Sequence, residues 1–477
     1  MRYTALAVDF DGTIAHDGVV PPHVLDGLAR LRDTGRKLLL VTGRELEELL
    51  SIFPGITLFD RVVAENGALL YRPASGEREE LGEPPPPALV EMLRTRGVPI
   101  SVGHSIVATV EPHETVVLAA IKELGLERQV IFNKGAVMIL PAGVNKASGL
   151  ACALKELALS ARNLVAAGDG ENDHALLESA EYSVATANAI PTLREKADRV
   201  TRETHGDGVL EVVADLIESD LERTPPRRER RSLLLGRDAH GEALSLPASG
   251  VSLVVAGRNA SGKAEVVAGI VDRIGALGYQ YCVIDTRGRY LELTPAIVLG
   301  GADHPPEAME VLTALEKPEI NVVVALGAID PGGRPAFVAD LLRRLAALQE
   351  KTGRPHWIVV DDAMEAHARE ALEEPVAQAP ARNMVHVSAE AARLPAGLLA
   401  AATAVLVIGA GAAAELEAVA RVMEVSSPPE ALRDPRAGEA LAWSRRSGAA
   451  PALIALPSVD RTRDRERAGV GRLLRRA

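Results

Sequence analysis

Residues Tyr3–Thr13 read Tyr-Thr-Ala-Leu-Ala-Val-Asp-Phe-Asp-Gly-Thr. The apolar run through Val8 predicts a buried strand, Tyr3–Val8, and Asp9 and Asp11 stand just past its end. In open α/β sheets, ligands gather at the carboxyl ends of strands. Two carboxylates one residue apart at such an end repel each other unless a cation offsets them. Mg²⁺ suits oxygen ligands and also takes substrate phosphates. One carboxylate can then attack phosphorus in line while the other protonates the leaving oxygen. Gly12 lets the backbone turn closely past a phosphate. The same residues also occur in ordinary turns, so the reading needs support from elsewhere in the chain.

Working outward, strands and helices alternate. Pro22–Thr34 is an amphipathic helix, Lys37–Val41 a strand, Glu45–Ser51 the start of a helix, and Arg61–Ala64 and Leu164–Ala167 further strands. That alternation predicts a parallel, doubly wound sheet. Residues from about 83 to 142 break the rhythm. Ala88–Arg96 and Glu114–Leu124 read as helices. Ile100–Val102 pairs with Ile106–Val110 around Gly103–His104, and Val130–Phe132 with Ala136–Leu140 around Lys134–Gly135. This αββαββ unit is a small α+β module inserted into the larger sheet, with the Pro84–Pro87 run leading into it.

Three further segments carry chemistry. Thr42-Gly43-Arg44 follows the second strand, where a hydroxyl and a free backbone N–H can hold a phosphoryl oxygen; Thr42 with Glu45 also matches a helix capping box. Lys146, after the insert, can neutralise a nucleophile and a phosphate, though a lysine ahead of a helix is commonly just solvated. Gly168-Asp169-Gly170-Glu171-Asn172-Asp173 adds acidic oxygens from Asp169 and Asp173 and a neutral donor or acceptor at Asn172. In isolation this acidic turn also fits a Ca²⁺ loop.

In order and spacing these four segments resemble the motifs of the haloacid dehalogenase (HAD) superfamily, over residues 1–217. Ala64-Glu65-Asn66-Gly67-Ala68 resembles the Cof-type branch, whose type-two cap sits where the insert lies here. The resemblance implies a HAD Rossmann-like core (residues 1–82 and 143–217) with a cap at about 83–142. It implies a Mg²⁺-dependent phosphatase with Asp9 as nucleophile, Asp11 as acid/base, and Thr42 and Lys146 on the phosphoryl group. Gly12, Gly43, Arg44 and Asn172 would line the phosphate and substrate site. Mg²⁺ would be held by the Asp9 side chain, the Asp11 carbonyl and Asp169, with Asp173 in support. The cap is short and should leave an open site, with His104, Lys134 and Arg44 as candidates for leaving-group contact. Enzymes of this kind act on sugar phosphates, phosphoglycolate and similar small esters.

A charge-dense stretch with two prolines, Glu218–Ser232, reads as a linker. Beyond it, residues 233–460 predict a second parallel α/β domain. Val251–Ala256, Tyr281–Asp285, Asn321–Leu326, Trp357–Asp361 and Ala404–Ile408 are its buried-strand candidates, with helices at Ala264–Leu277 and within Gly332–Gln349. Gly257-Arg258-Asn259-Ala260-Ser261-Gly262-Lys263-Ala264 lies between a strand and a helix, the setting a P-loop requires. Gly257, Ser261, Gly262, Lys263 and Ala264 would line an ATP site, with Asp361 as a Walker B acid. This domain resembles the HerA/FtsK-type ATPases over roughly 233–425. Ala264 lacks the hydroxyl that would ligate Mg²⁺, so nucleotide binding with weak or no turnover is expected.

The net charge is −12. Residues 1–224 hold 22 Lys and Arg against 34 Asp and Glu, and residues 225–477 hold 31 of each, so the whole excess lies in the first part. Neither part has the basic surplus of a strong nucleic-acid binder. The tail, residues 461–477, is locally basic. Leu394–Ala414 is uncharged, but its prolines and glycines predict a helix followed by a strand rather than a membrane span. Two cysteines, Cys152 and Cys282, in apolar surroundings read as buried free thiols in a reducing cytoplasm. The favoured reading is a phosphatase of a small phosphorylated metabolite with a nucleotide-binding domain that regulates it or assembles homo-oligomers. The alternative is a nucleic-acid end-processing protein that joins a phosphatase to an ATPase.

Overall fold

The structure is a computed structural model that describes residues 1–362, 383–423, 432–445 and 450–457. The basic tail at 461–477 lies outside the described residues. The chain divides into two compact units, Met1–Arg228 and Glu229–Ala477.

The first unit starts with β1 (Ala5–Val8), α1 (Pro22–Asp33), β2 (Lys37–Val41), α2 (Leu46–Ile52), β3 (Arg61–Ala64), β4 (Leu69–Arg72) and β5 (Glu77–Glu80). The inserted module follows as α3 (Pro87–Thr95), β6 (Ser101–Val102), β7 (Val107–Val110), α4 (Glu114–Glu123), β8 (Arg128–Asn133) and β9 (Ala136–Pro141). The chain then returns through α5 (Lys146–Glu156), β10 (Leu164–Gly168), α6 (His174–Ser179), β11 (Tyr182–Ala185), α7 (Pro191–Lys196), β12 (Arg199–Val200) and α8 (His205–Ser219). The core sheet runs β12-β11-β10-β1-β2-β3-β4-β5, parallel from β12 to β3 and antiparallel at β4 and β5. This is a Rossmann-like α/β fold.

β1 lies in the middle of the sheet, and all four of its side chains are buried. Buried on both faces, it separates two apolar layers. Leu6 and Val8 pack with Leu28, Leu31 and Val212 on one side, and Ala5 and Ala7 with Leu39, Leu150 and Leu154 on the other. Burial of that extent fixes the strand's register, and so fixes where Asp9 emerges. The cap is a four-stranded antiparallel sheet, β6-β7-β9-β8, with a small core of its own around Leu89, Leu93, Val117 and Ile139.

Three local expectations change. Thr42 and Glu45 form no capping box, because α2 starts at Leu46 with Glu45 as an uncapped N-cap, and Thr42 Oγ1 instead accepts the Arg44 N–H at 3.1 Å. Cys152 is partly exposed, and of the two free thiols Cys282 is the buried one. Helix α8 continues to Ser219, so the first residues of the expected linker are helical.

The second unit is also α/β. β13 (Ser232–Arg237) and β14 (Ala243–Pro247) form a hairpin, followed by β15 (Ser252–Ala256), α9 (Lys263–Ala276), β16 (Tyr281–Asp285), β17 (Ile297–Gly300), β18 (Val322–Ala325) and β19 (Trp357–Val360). The later strands are β20 (Met384–Ser388), β21 (Ala404–Val407), β22 (Glu439–Ser444) and β23 (Ala452–Ala455). The sheet order is β14-β13-β23-β22-β21-β15-β20-β19-β16-β18-β17. From β21 to β17 the pairs are parallel; β22, β23, β13 and β14 extend the sheet antiparallel, an addition to the parallel sheet expected. Residues 394–414 contain a short helix, Ala396–Ala401, and the buried β21. Among the described residues no helix is long and apolar enough to cross a membrane.

Candidate active site

The carboxyl ends of β1, β2 and β10 bring the quoted segments together. Asp9 leaves β1, Thr42 follows β2, and Asp169 follows β10. Lys146 opens α5, whose N-terminus is held by a capping box in which Asn145 accepts from the Ser148 N–H and the Ser148 hydroxyl accepts from Asn145 N–H. Asp9, Thr42, Lys146, Asp169 and Asp173 are all buried.

The Lys146 ammonium lies between two carboxylates, donating at 2.6 Å to Asp9 Oδ1 and at 2.6 Å to Asp173 Oδ1. Asp173 Oδ2 in turn accepts the backbone N–H groups of Asp169 and Gly170, both at 2.9 Å. Asp173 therefore orders the acidic loop as well as pairing with the lysine. Asp169 Oδ1 accepts the Thr13 hydroxyl at 3.0 Å, and Asp169 Oδ2 accepts the Asn188 amide at 3.2 Å.

These surroundings perturb the titrations. Burial pushes the Asp9 carboxyl up to about 7, with Asp173 adding to the shift and Lys146 opposing it. Burial also works against the Lys146 ammonium, but Asp173 and Asp9 outweigh it, and its pKa ends above the ordinary lysine value. Asp169 is raised by burial, against the pull of Lys134. An acidic cluster that cannot fully ionise by itself is the arrangement a cation would complete.

Asp9, Asp169 and Asp173 offer carboxylate oxygens that all lie within 4.8 Å of one another. The backbone carbonyl of Asp11 lies beside the Asp169 carboxylate, since one ammonium, that of Lys134, donates to Asp11 O at 3.0 Å and to Asp169 Oδ2 at 2.7 Å. An all-oxygen set of this kind fits a hard divalent cation. Gly12, in the left-handed region at φ 86°, is required by the crowding, because a Cβ there would collide with Lys134 Nζ and the Asp169 carboxylate.

The Asp11 side chain turns away from this cluster. Arg44 holds it in a two-pronged pair, Nε to Oδ2 and Nη2 to Oδ1, both at 2.7 Å. Asp9, Asp11, Gly43 and Arg44 face a cavity of about 780 Å³ between the core and the cap sheet, closed on the cap side by residues including Ala108 and Met138. Asn172 donates to Asn66 Oδ1 at 2.9 Å, while its own Oδ1 and the Asn66 amide are buried without a hydrogen-bond partner.

Several residues here were not singled out from the sequence. Thr13 ties Asp169 to the first loop, and Asn188 ties Asp169 to Gly12 O at 2.8 Å. The fully buried Glu65 reaches into the cap, where its carboxylate accepts the backbone N–H groups of His104 at 3.0 Å, Ser105 at 2.8 Å and Ile106 at 3.2 Å. The Glu-Asn-Gly segment was legible as a motif, but its partners lie about forty residues on, beyond the reach of local pattern. His104 faces Glu47 and Glu80 at 3.3 Å each rather than the cavity.

In the second unit, residues 257–262 join β15 to α9, with Gly262 at φ 87° as N-cap and Lys263 buried at the first helical position. The Lys263 ammonium donates to Arg258 O at 3.4 Å. The Lys263 pKa is lowered by burial and by Arg289, against the pull of Asp362 and Asp361. Asp361 and Asp362 sit past β19 and pair with arginines: Arg287 lies 2.6 Å from Asp362, and Arg289 lies 3.7 Å from Asp361. Burial, with Asp362, pushes the Asp361 carboxyl up to about 6.

Residues 6–80 and 106–213 match the haloacid dehalogenase-like hydrolase family. A phosphoglycolate phosphatase of Haloarcula marismortui is 33% identical over 219 residues, which cover 44% of this chain and 95% of that protein. A phosphoglycolate phosphatase of Methanothermobacter thermautotrophicus is 32% identical over 219 residues, 44% of this chain and 96% of that protein. A haloacid dehalogenase-like hydrolase from Bacteroides thetaiotaomicron, of solved structure, aligns over 45% of this chain and 99% of its own at 20% identity, with a TM-score of 0.40.

The Glu65 contacts generate a prediction. Glu65→Ala leaves three cap N–H groups without their charged acceptor and weakens cap seating by about 3 kcal/mol. Amide exchange at His104–Ile106 should accelerate in the variant while β1 and β10 keep their protection. Unchanged exchange at those three amides would refute the anchoring role.

Proposed function

Because the chain belongs to the haloacid dehalogenase-like hydrolases and its first unit is a phosphatase of that type, we propose that it is a Mg²⁺-dependent phosphomonoesterase of a small phosphorylated metabolite. The observation that carries this reading is the buried Lys146 ammonium held between Asp9 and Asp173, with Asp169 beside them. The names of the relatives favour phosphoglycolate or a similarly short ester, and a sugar phosphate is the next class to test. Free thiols at Cys152 and Cys282 fit a reducing cytoplasm.

On this reading an Asp9 carboxylate oxygen attacks phosphorus, forming an aspartyl phosphate as the ester P–O bond breaks. Asp11, which faces the cavity, takes the acid/base role once it is protonated and freed from its Arg44 pair: it gives that proton to the leaving oxygen and later takes one from the attacking water. Thr42 and Lys146 bind phosphoryl oxygens, with Gly12, Gly43 and Asn172 lining the site, and the Lys146 charge also opposes the burial that favours a protonated nucleophile. Mg²⁺, held by Asp9, the Asp11 carbonyl and Asp169 with Asp173 in support, would offset the charge between nucleophile and phosphoryl group. The cap lines one side of the cavity and selects the leaving group.

The second unit is read as a nucleotide-binding domain with a regulatory or assembly role, built on residues 233–460. β15 is flanked by two strands that come later in the chain, β20 and β21, so its carboxyl end is a topological switch point. Residues 257–262 turn there into the N-terminus of α9, as a phosphate-binding loop does. Ala264 offers no hydroxyl, and the Asp361 and Asp362 carboxylates already have arginine partners. A triphosphate would therefore be held by Lys263 and loop N–H groups without a divalent cation, and would not be turned over.

Three outcomes are expected. A screen of phosphate esters with Mg²⁺ should give phosphate release that Asp9→Asn lowers by more than about a thousand-fold; equal turnover by that variant would end the assignment. Ionised Asp9 is needed to hold the cation, and burial raises its carboxyl to about 7. The affinity for Mg²⁺, measured by calorimetry without substrate, should therefore fall as pH drops below that value, by up to about ten-fold per pH unit, and level off above it. A flat profile across that range would contradict the shift. ATP should bind as well in EDTA as in Mg²⁺, with Lys263→Met at least about ten-fold weaker. Binding that requires Mg²⁺, or none at all, would overturn the cation-free site.

A further inference from the structure

Lys134 belongs to the cap, yet its ammonium lies in the acidic centre of the core. It sits with Gly135 in the two-residue turn between β8 and β9, and both have positive φ, 49° and 82°. A lysine in the left-handed region is uncommon, and such a conformation persists where surrounding contacts hold it. Here the contacts are three. The Lys134 backbone N–H donates to Glu171 Oε2 at 3.2 Å, and its ammonium donates to Asp11 O at 3.0 Å and to Asp169 Oδ2 at 2.7 Å.

The two oxygens under the ammonium are two of those assigned above to Mg²⁺. A Mg²⁺ ion binds oxygen at about 2.0–2.1 Å. An ion seated on both oxygens from the side the ammonium occupies would fall close to Nζ, and two cations at that separation repel strongly. Both cannot be seated at once. The Asp169 carboxylate is almost wholly buried, whereas the Lys134 side chain is 43% exposed and has solvent to retreat into.

We propose that Lys134 is an exchangeable internal counter-ion: with the cap seated it fills the cation position, and a divalent cation binds only when the β8–β9 turn withdraws. Metal loading and seating of this turn then oppose each other. The two cap hairpins differ accordingly. The turn before β7 is fixed to the buried Glu65 carboxylate, while the turn after β8 is tied to the core by bonds that a cation can replace. The apparent affinity for metal is then lowered according to the fraction of molecules with the turn seated.

This inference rests on the Mg²⁺ reading of the site, and the test separates the two. Mg²⁺ is titrated by calorimetry into the substrate-free full-length protein and into Lys134→Gln. Amide exchange across Arg128–Pro141 is followed with and without the ion. Lys134→Gln should bind Mg²⁺ about five- to ten-fold more tightly than the parent. In the parent, Mg²⁺ should speed exchange around Asn133–Gly135, and in the variant it should not. Equal or weaker binding by Lys134→Gln overturns the counter-ion role while leaving the cation site intact. Failure of both proteins to bind Mg²⁺ overturns the role and the Mg²⁺ reading together. Glu171→Ala, which removes the acceptor of the Lys134 N–H without touching the assigned cation oxygens, should also tighten Mg²⁺ binding; no change there counts against the proposal too.

Discussion

The first unit depends on an ammonium buried between two carboxylates. Desolvating Lys146, Asp9 and Asp173 is costly, and their mutual attraction offsets that cost only with short, well-directed contacts. Both contacts here are 2.6 Å, and the remaining Asp173 oxygen is satisfied by two backbone N–H groups. The requirement extends outward from there. Asp9 must emerge at a fixed height from β1, which the burial of Leu6 and Val8 ensures. Lys146 must lie at the first turn of α5, which the Asn145–Ser148 box sets. Asp173 must fold back on its own loop, which the close approach of Gly168 permits, since a Cβ there would strike the Asp173 side chain.

The same electrostatics account for the cap's attachment. A cap that rested only on apolar contacts would seat with no defined register over the cavity. Glu65 gives it one, because a single buried carboxylate can accept three consecutive N–H groups only when the His104–Ile106 turn lies at one place. Glu65 and Asn66 both have left-handed φ, 50° and 53°, so the backbone bends sharply to aim this carboxylate one way and Asn66 toward Asn172 the other. Three residues in a row thus link the cap, the acidic loop and, through Gly67 packed on the Asn145 carbonyl, the lysine helix.

Much of this was legible in the sequence, and the reason is local. The Tyr3–Val8 run, the αββαββ rhythm of the cap and the Lys37–Val41 strand carry their periodicity in a few consecutive residues. Edge strands do not. Glu77–Glu80 is wholly exposed and reads Glu-Arg-Glu-Glu, with no apolar face to mark it as a strand. The β22–β23 pair of the second unit escapes a sequence reading for a related reason, since its short, Ala-rich stretches resemble helix as much as strand. Site residues divide the same way. Asp9, Thr42 and Asp169 stand at strand ends and could be picked out there. Thr13, Asn188, Glu65 and Lys134 owe their roles to partners far along the chain. The Lys134 bond to Asp11 O spans 123 residues, and nothing around Asn-Lys-Gly announces it.

The two units handle the same physical difficulty in different ways. Each places neighbouring carboxylates at the carboxyl end of a buried parallel sheet, where their charges cannot all persist unopposed. In the first unit the counter-charges are one fixed lysine and one lysine on a turn. The second relieves its pair with side chains from a single loop after β16, where Asp285 accepts the N–H groups of Arg287, Arg289 and Tyr290 and so presents both arginines toward Asp361 and Asp362. A guanidinium held by its own backbone is not readily displaced, and it lacks the open coordination positions through which a metal ion acts on a phosphate. Cation chemistry is therefore a property to look for in the first unit. In the second, the carboxylates past β19 already face arginines, and the buried Lys263 at the start of α9 lies within their field.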